Sequence, residues 1–204
     1  ATGAGKSSII NLLSRFYEYQ KGEIMVDGDE LRDIDIDLIR ENVAVVLQDV
    51  FLYSDTILNN ITLGDHSISR EKVIEASKQV GAHEFIMSLP ENYNFAVGER
   101  GGMLSVGQRQ LISFIRAYVY NPSILILDEA TSSIDTESEE LIQLAIEKLT
   151  EGRTSIIIAH RLSTISKADK IIVMDQGEII ESGSHQELLS LNGSYKKLYD
   201  IQYK

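Results

Sequence analysis

Cysteine is absent from the 204 residues, which excludes disulfides and cysteine metal centres and is compatible with a reducing cytosolic face without proving one. Long apolar runs are missing too: no stretch approaches the roughly 18 uninterrupted apolar residues that a membrane helix needs. No stretch of the given sequence reads as a signal peptide, an internal repeat or a low-complexity segment. Basic residues are scarce. Lys and Arg number 19 against 31 Asp and Glu, a net charge of -12. That balance argues against broad binding to DNA or RNA, because no basic stripe is available to displace counterions from a phosphate backbone, and Lys196, Lys197 and Lys204 are too few. The acidity reads as a solvated surface. What is present, 43% apolar and 25% charged residues, is ordinary for one domain with a substantial core.

Three stretches carry chemistry. Ile124-Leu125-Ile126-Leu127 is an apolar run ended by Asp128 and Glu129, which reads as a buried parallel strand delivering two carboxylates to the carboxyl edge of a sheet, where α/β folds place ligands. Within Ala1 to Ser8, the triplet Gly5-Lys6-Ser7 reads as the end of a phosphate loop. In such a loop backbone N–H groups and a lysine cradle phosphates, and a hydroxyl binds Mg²⁺. The positions Ile9, Ile10, Leu12, Leu13 and Phe16 that follow have helical spacing, so the anion-attracting N-terminus of that helix faces the phosphates. Leu104-Ser105-Val106-Gly107-Gln108 opens another helix, with Leu111, Ile112, Ile115 and Val119 on one face and a stop at Asn121-Pro122.

With these stretches together the chain resembles the nucleotide-binding domain of an ABC transporter over nearly its whole length. The phosphate loop (Walker A) ends at Ser7, a Q-loop glutamine falls at Gln48, and the signature spans Leu104 to Gln108. Walker B ends at Asp128-Glu129, Ser132-Ser133-Ile134-Asp135 matches the D-loop, and a switch histidine sits at His160. The order of the set is far harder to produce by chance than any one motif. The resemblance implies an α/β fold of the P-loop NTPase type, with a mainly parallel sheet core at about residues 1–65 and 121–204 and an inserted helical subdomain at about 66–120 carrying the signature.

It also implies ATP and Mg²⁺ as ligands. Thr2, Gly3, Ala4, Gly5, Lys6, Ser7 and Ser8 would hold the phosphates. Ser7 and Gln48 would ligate Mg²⁺, Asp128 would anchor its water shell, Glu129 would act as general base and His160 would reach the γ-phosphate. Ser105, Gly107, Gln108 and Asp135 would act on nucleotide at a dimer interface with a second ABC ATPase domain. A transmembrane domain would be the other partner, with no nucleic acid. The place of work would be the cytoplasmic face of the cell membrane, and the segment Asp49 to Ile61 resembles the exporter version. Phe51 and Tyr53 read either as part of a surface for that membrane partner or as ordinary core aromatics.

The remaining pattern fills in a coarse map. Glu23 to Val26 reads as a strand closed by the turn Asp27-Gly28, and Asp29 to Asp37 as a surface connection with solvated carboxylates, leading to a helix over Leu38 to Asn42. Val43 to Leu47 and Thr154 to Ala159 read as buried strands. Helices are predicted over Ser69 to Val80 with Ser69 as N-cap, Ala82 to Leu89, Glu137 to Leu149, Ser184 to Leu191 and Ser194 to Tyr203. A hairpin is predicted around Asp175-Gln176-Gly177. His66, His83 and His185 read as structural or exposed.

Three departures from the family pattern qualify this. The first glycine of the phosphate loop would lie upstream of Ala1, so with no initiator methionine the sequence reads as excised from a longer polypeptide, and as it stands is expected to bind ATP poorly. The third signature position is Val106 rather than glycine, which requires an ordinary backbone conformation there. Ala96 replaces the usual glutamate of the exporter X-loop, removing that carboxylate from any contact with a membrane domain. Two rival readings are weaker. An ATP-gated clamp of DNA repair or chromosome maintenance would carry long coiled coils between Ser7 and Leu104, where no heptad pattern is sustained. A module that binds ATP without hydrolysis would not need Glu129 and His160.

Overall fold

A computed structural model describes residues 4–128, 136–159 and 162–202. In chain order the elements are α1 (Lys6–Leu13), β1 (Met25–Val26), β2 (Asp29–Glu30), α2 (Ile36–Asn42), β3 (Val43–Val46), α3 (Ile57–Thr62), α4 (Arg70–Gln79), α5 (His83–Ser88), α6 (Val106–Tyr120), β4 (Ile124–Asp128), α7 (Thr136–Thr150), β5 (Thr154–Ile158), α8 (Leu162–Ile165), β6 (Ile171–Asp175), β7 (Glu178–Gly183), α9 (His185–Ser190) and α10 (Ser194–Gln202). They gather into two compact units, Ala1–Ile39 with Ile158–Lys204, and Arg40–Ile157.

The second unit is built on α6. Leu111, Ile112, Phe114, Ile115, Ala117 and Val119 are all buried, a wider apolar surface than the single face predicted, because the helix packs against α3, α4, α7 and β3. It ends where predicted. Asn121 adopts a left-handed conformation, φ 48°, which asparagine tolerates, and Pro122 has no N–H with which to continue the helix. β3 and β4 pair in parallel with Val46 opposite Leu127, and β5 completes a sheet in the order β3-β4-β5.

Leu125, Ile126 and Leu127 are buried as predicted. The neighbouring strands are wetter than their apolar composition suggests: Leu47 lies beyond the end of β3 and is 53% exposed, while β5 is only half-buried, with Thr154 exposed. A β-branched run favours a strand, but the neighbours decide which of its faces are covered. Ser69 caps α4 by accepting from the Lys72 N–H, as predicted.

In the first unit α1 stops at Leu13, short of the helical spacing that ran to Phe16. Ser14 is its C-cap and Arg15 turns left-handed, φ 50°, so Phe16 leaves the apolar face and is 71% exposed. The Arg15 guanidinium donates to Ile34 O at 2.7 Å, a contact that local spacing does not encode. Positive φ at both Asp27-Gly28 (51° and 98°) and Gln176-Gly177 (48° and 85°) marks two-residue turns of the kind that match strand twist. They join β1 to β2 and β6 to β7.

Part of the supposed acidic connection is therefore strand. Glu30 is not merely solvated: it accepts from the Tyr19 hydroxyl and from Arg32, whose guanidinium stacks 4.4 Å from the Tyr19 ring centre. α2 begins two residues early because Asp35 Oδ1 accepts the N–H groups of Asp37 at 2.8 Å and Leu38 at 3.3 Å. Toward the C-terminus Ile171, Leu188 and Tyr195 form a small core. Ser184 and Glu187 cap α9 reciprocally, and Glu181 of β7 accepts the Ser194 and Tyr195 N–H groups at the start of α10.

Truncating the α6 core should show how much of the second unit's stability rests on it. Ile112→Ala, at a fully buried position, should cost about 2–5 kcal/mol in urea unfolding. Leu144→Gln on the exposed side of α7 should stay within about 0.5 kcal/mol.

Candidate functional site

The phosphate-loop residues that are described form a glycine entry into a helix. Gly5 is the N-cap of α1 at φ 96° and ψ 1°, a region closed to most side chains. An added Cβ would also come within 3.5 Å of Gly177 Cα and Met174 Cε, so the β6–β7 turn backs this loop. No side chain caps α1 and no acidic residue stands in its first turn, which leaves the positive end of the helix dipole uncountered there. Ala4 is buried, Lys6 is half-buried, and Ser7 and Ser8 are exposed. Thr2 and Gly3 lie outside the described residues.

The second unit carries its own polar edge. Because β3 and β4 run parallel with Val46 opposite Leu127, Asp128 and Gln48 both emerge at the carboxyl ends of adjacent strands. Asp128 is half-buried and Gln48 exposed. Glu129, Asp135 and His160, which the sequence assigns to the same chemistry, lie outside the described residues, as does the rest of the D-loop.

Ser105 is the N-cap of α6. Its hydroxyl accepts the Gln108 N–H at 3.2 Å while Gln108 Oε1 accepts the Ser105 N–H at 3.0 Å, a reciprocal capping box. The two signature side chains thereby fix each other, and the Ser105 hydroxyl keeps its proton for an outside acceptor. Val106 sits in helical conformation as required and is exposed, while Gly107 is buried.

The turn ahead of the helix is tight. Arg109 Nη1 donates to Leu104 O at 2.7 Å, and Gly101, at φ 73°, has Arg109 Cδ and Leu52 Cδ1 2.8 and 2.9 Å from where a Cβ would stand. Only glycine satisfies both the backbone angle and the space.

Leu52 belongs to the segment after Gln48. It is fully buried, yet Phe51 and Tyr53 on either side are 55% and 58% exposed, and their rings meet edge to edge-on face at 5.2 Å. Phe51 and Tyr53 are therefore surface residues. The backbone of this segment is joined to the X-loop: Ile57 N–H donates to Phe95 O and Val97 N–H to Asp55 O, both at 3.0 Å.

Sequence reasoning passed over Asn60 and Arg116. Asn60 is a fully buried polar residue between the buried Ile57 and Ile61, an interruption of an apolar face that the sequence does display. Arg116 Nε donates to Asn60 O at 3.0 Å, its Nη2 is buried without a hydrogen-bond partner among the described residues, and burial draws its pKa below the ordinary arginine value.

A glycine-entered helix and a parallel sheet edge bearing a carboxylate are the parts of a P-loop NTPase. The ABC transporter family model matches residues 1–132, and the chain belongs to that family. It is 51% identical over 98% of its length to YgaD of Bacillus subtilis (strain 168), which carries a provisional name as a multidrug export ATP-binding/permease protein, and covers 35% of that protein. It is 47% identical over 100% of its length to an ATP-dependent lipid A-core flippase of Syntrophus aciditrophicus (strain SB), covering 34% of it.

Among solved structures, a bacterial Atm1-family ABC exporter with ATP bound superposes with a TM-score of 0.91 at 42% identity, covering 100% of this chain and 36% of the exporter. The chain thus spans about a third of the length of these relatives and has the P-loop fold of an ABC-type ATPase domain.

The capping role of Ser105 is separable from any role toward nucleotide. Ser105→Ala should lower stability in urea by about 1 kcal/mol, the usual cost of losing an N-cap oxygen; an unchanged midpoint would mean that the box adds nothing to the fold.

Proposed function

We propose that this domain hydrolyses ATP to drive movement of a substrate across a membrane, in the export direction, through an attached transmembrane domain at whose cytoplasmic side it sits. The observation that carries this reading is the pairing of an acid-free, glycine-entered helix start at Lys6 with a separate capped helix start at Ser105 in one chain. Both are anion sites by the same physics, since the first-turn N–H groups and the helix dipole favour phosphate oxygens. The export direction is supported by relatives named for multidrug export and for flipping lipid A-core, and by the neighbouring exporter structure. We place the RecA-like core at about residues 1–65 and 121–204 and the helical subdomain at about 66–120.

The residues divide the work by their chemistry. Thr2, Gly3, Ala4, Gly5, Lys6, Ser7 and Ser8 hold the phosphates through backbone N–H groups, the ammonium and hydroxyls. Ser7, Gln48 and Asp128 present a hydroxyl, an amide oxygen and a carboxylate. These are hard oxygen donors of the kind Mg²⁺ takes, and Mg²⁺ usually needs only one or two protein carboxylates beside phosphates and water. When bound, the ion neutralises charge developing on the phosphates. Glu129 accepts the proton of the attacking water, and His160 acts at the γ-phosphate. Ser105, Gly107, Gln108 and Asp135 complete the site of a second ATPase domain.

The clamp alternative is disfavoured by the architecture as well as by the relatives. Between Ser7 and Leu104 the longest helix, α4, has 10 residues, far short of a coiled-coil arm.

Two experiments test the proposal in the domain joined to its upstream sequence. Glu129→Gln should keep ATP binding and lower turnover by about 10²–10⁴-fold, the usual worth of a positioned base; turnover near wild type would remove Glu129 from that role. In a Glu129→Gln background, neither Lys6→Ala nor Ser105→Arg alone should form a Mg-ATP-dependent dimer by light scattering, whereas mixing them should restore one composite site and yield dimer. A mixture with no more dimer than the separate variants would refute the assignment of Ser105 and Gly107 to the partner's nucleotide.

A further inference from the structure

The segment from Val50 to Thr56 has no regular secondary structure, yet it holds Phe51 and Tyr53 outward and Leu52 inward. Something must give it one shape. Resting on the proposed transport function, and taking exposed Phe51 and Tyr53 as part of a surface for the membrane domain rather than as core aromatics, we infer that Asn60 is the positioning residue that sets the surface.

Asn60 is fully buried on α3, and among the described residues its side-chain hydrogen bonds all run to the backbone of that segment. Oδ1 accepts the Tyr53 N–H at 2.8 Å, while Nδ2 donates to Tyr53 O at 3.0 Å and to Thr56 O at 2.9 Å. Both amide protons and the acceptor are engaged. The amide therefore pairs with Tyr53 as a neighbouring strand would, satisfying both of its backbone groups. With the Tyr53 backbone pinned on both sides and side chains alternating along an extended chain, Leu52 is driven into the core and its two aromatic neighbours outward.

The clamp is also referenced to the signature helix. Arg116 of α6 donates to Asn60 O at 3.0 Å, and Tyr120 of α6 donates to Thr62 O at 2.7 Å. Displacement of Tyr53 is thus resisted by hydrogen bonds that lead to the element beginning at Ser105. No other side chain reproduces the pattern: aspartate puts oxygen opposite two carbonyl oxygens, glutamine shifts the amide by a methylene, and an apolar residue removes all three bonds and takes the acceptor from the Tyr53 N–H, although Tyr53 O keeps the Asp55 N–H and Thr56 O the Asn60 N–H.

The test uses the transporter assembled with its membrane domain in lipid. Deuterium uptake at residues 51–56, ATP affinity, and ATP-plus-vanadate closure of the membrane domain are measured together, closure being read from the distance between two spin labels placed in that domain. Asn60→Ala should speed exchange of the Tyr53 amide by about tenfold or more and cut the closed population several-fold, while ATP affinity stays within about twofold.

Asn60→Asp, retaining the acceptor and at most one donor, should fall between Ala and the native residue, and it carries the same readouts if Asn60→Ala does not fold. Ile61→Val, a neighbouring buried change that lowers the melting temperature without touching the clamp, should leave closure intact. Unchanged Tyr53 exchange or closure in the Asn60 variants, or an equal loss of closure in Ile61→Val, would overturn the assignment. Phe51→Ser with Tyr53→Ser separates the two levels: if it leaves closure intact, the docking reading itself fails, and if it lowers closure where Asn60→Ala does not, only the role of Asn60 is withdrawn.

Discussion

A helix covered along its length can act on the outside only through its ends and through the few polar side chains that reach out of its packing. α6 is in that position. Its apolar residues face α3, α4, α7 and β3, so its first-turn N–H groups and the side chains of Arg109, Arg116 and Tyr120 are what remain for other work. The first turn is closed by the Ser105–Gln108 box. The three side chains all end on backbone carbonyls, at Leu104, Asn60 and Thr62. Each such bond contributes only about 0.5–1.5 kcal/mol net, but one holds the loop residue ahead of the helix and two hold the last turn of the short helix α3, so α6 fixes both the turn that enters it and the helix from which Asn60 reaches the Val50–Thr56 segment.

The same dependence explains the glycine at position 101. The loop ahead of the signature must pass between Arg109 and Leu52 with room for no Cβ, so the turn entering the helix and the turn leaving β3 are packed on one another. A change in either is felt by the other through contact rather than through a long path. In close-packed interiors a shift of a few tenths of an ångström at such a contact has few ways to dissipate.

Legibility followed the range of the interactions. The turns at Asp27-Gly28 and Gln176-Gly177, the cap at Ser69, the stop at Asn121-Pro122 and the buried run ending at Asp128 all rest on residues within a few positions of each other, and all were readable. Phe16 was misplaced because Arg15 is held left-handed beside a bond to Ile34 O. β5 was read as buried because Ser155 to Ile158 are suitable for a core, although its cover depends on neighbours remote in sequence. Asn60 escaped notice for a related reason. Its three side-chain bonds lie within seven residues, but its meaning comes from Arg116, 56 positions away. The family motifs were the most legible part of all, because nucleotide chemistry restricts residue type and spacing together.

The capping pattern has a consequence for selectivity. In a chain with 31 carboxylates, the helix starts are not treated alike. Asp37, Glu71, Glu84 and Glu187 stand in the first turns of α2, α4, α5 and α9, and α10 receives Glu181 from β7. α1, α3, α6 and α8 have no acid in the first turn. Five helix starts are thus met by the protein's own carboxylates, which repel a polyphosphate, and of those four without a first-turn acid only α1 and α6 reach eight residues. The acidity that keeps the surface hydrated thus leaves two long helix starts, at Lys6 and Ser105, where a polyphosphate would meet no first-turn carboxylate.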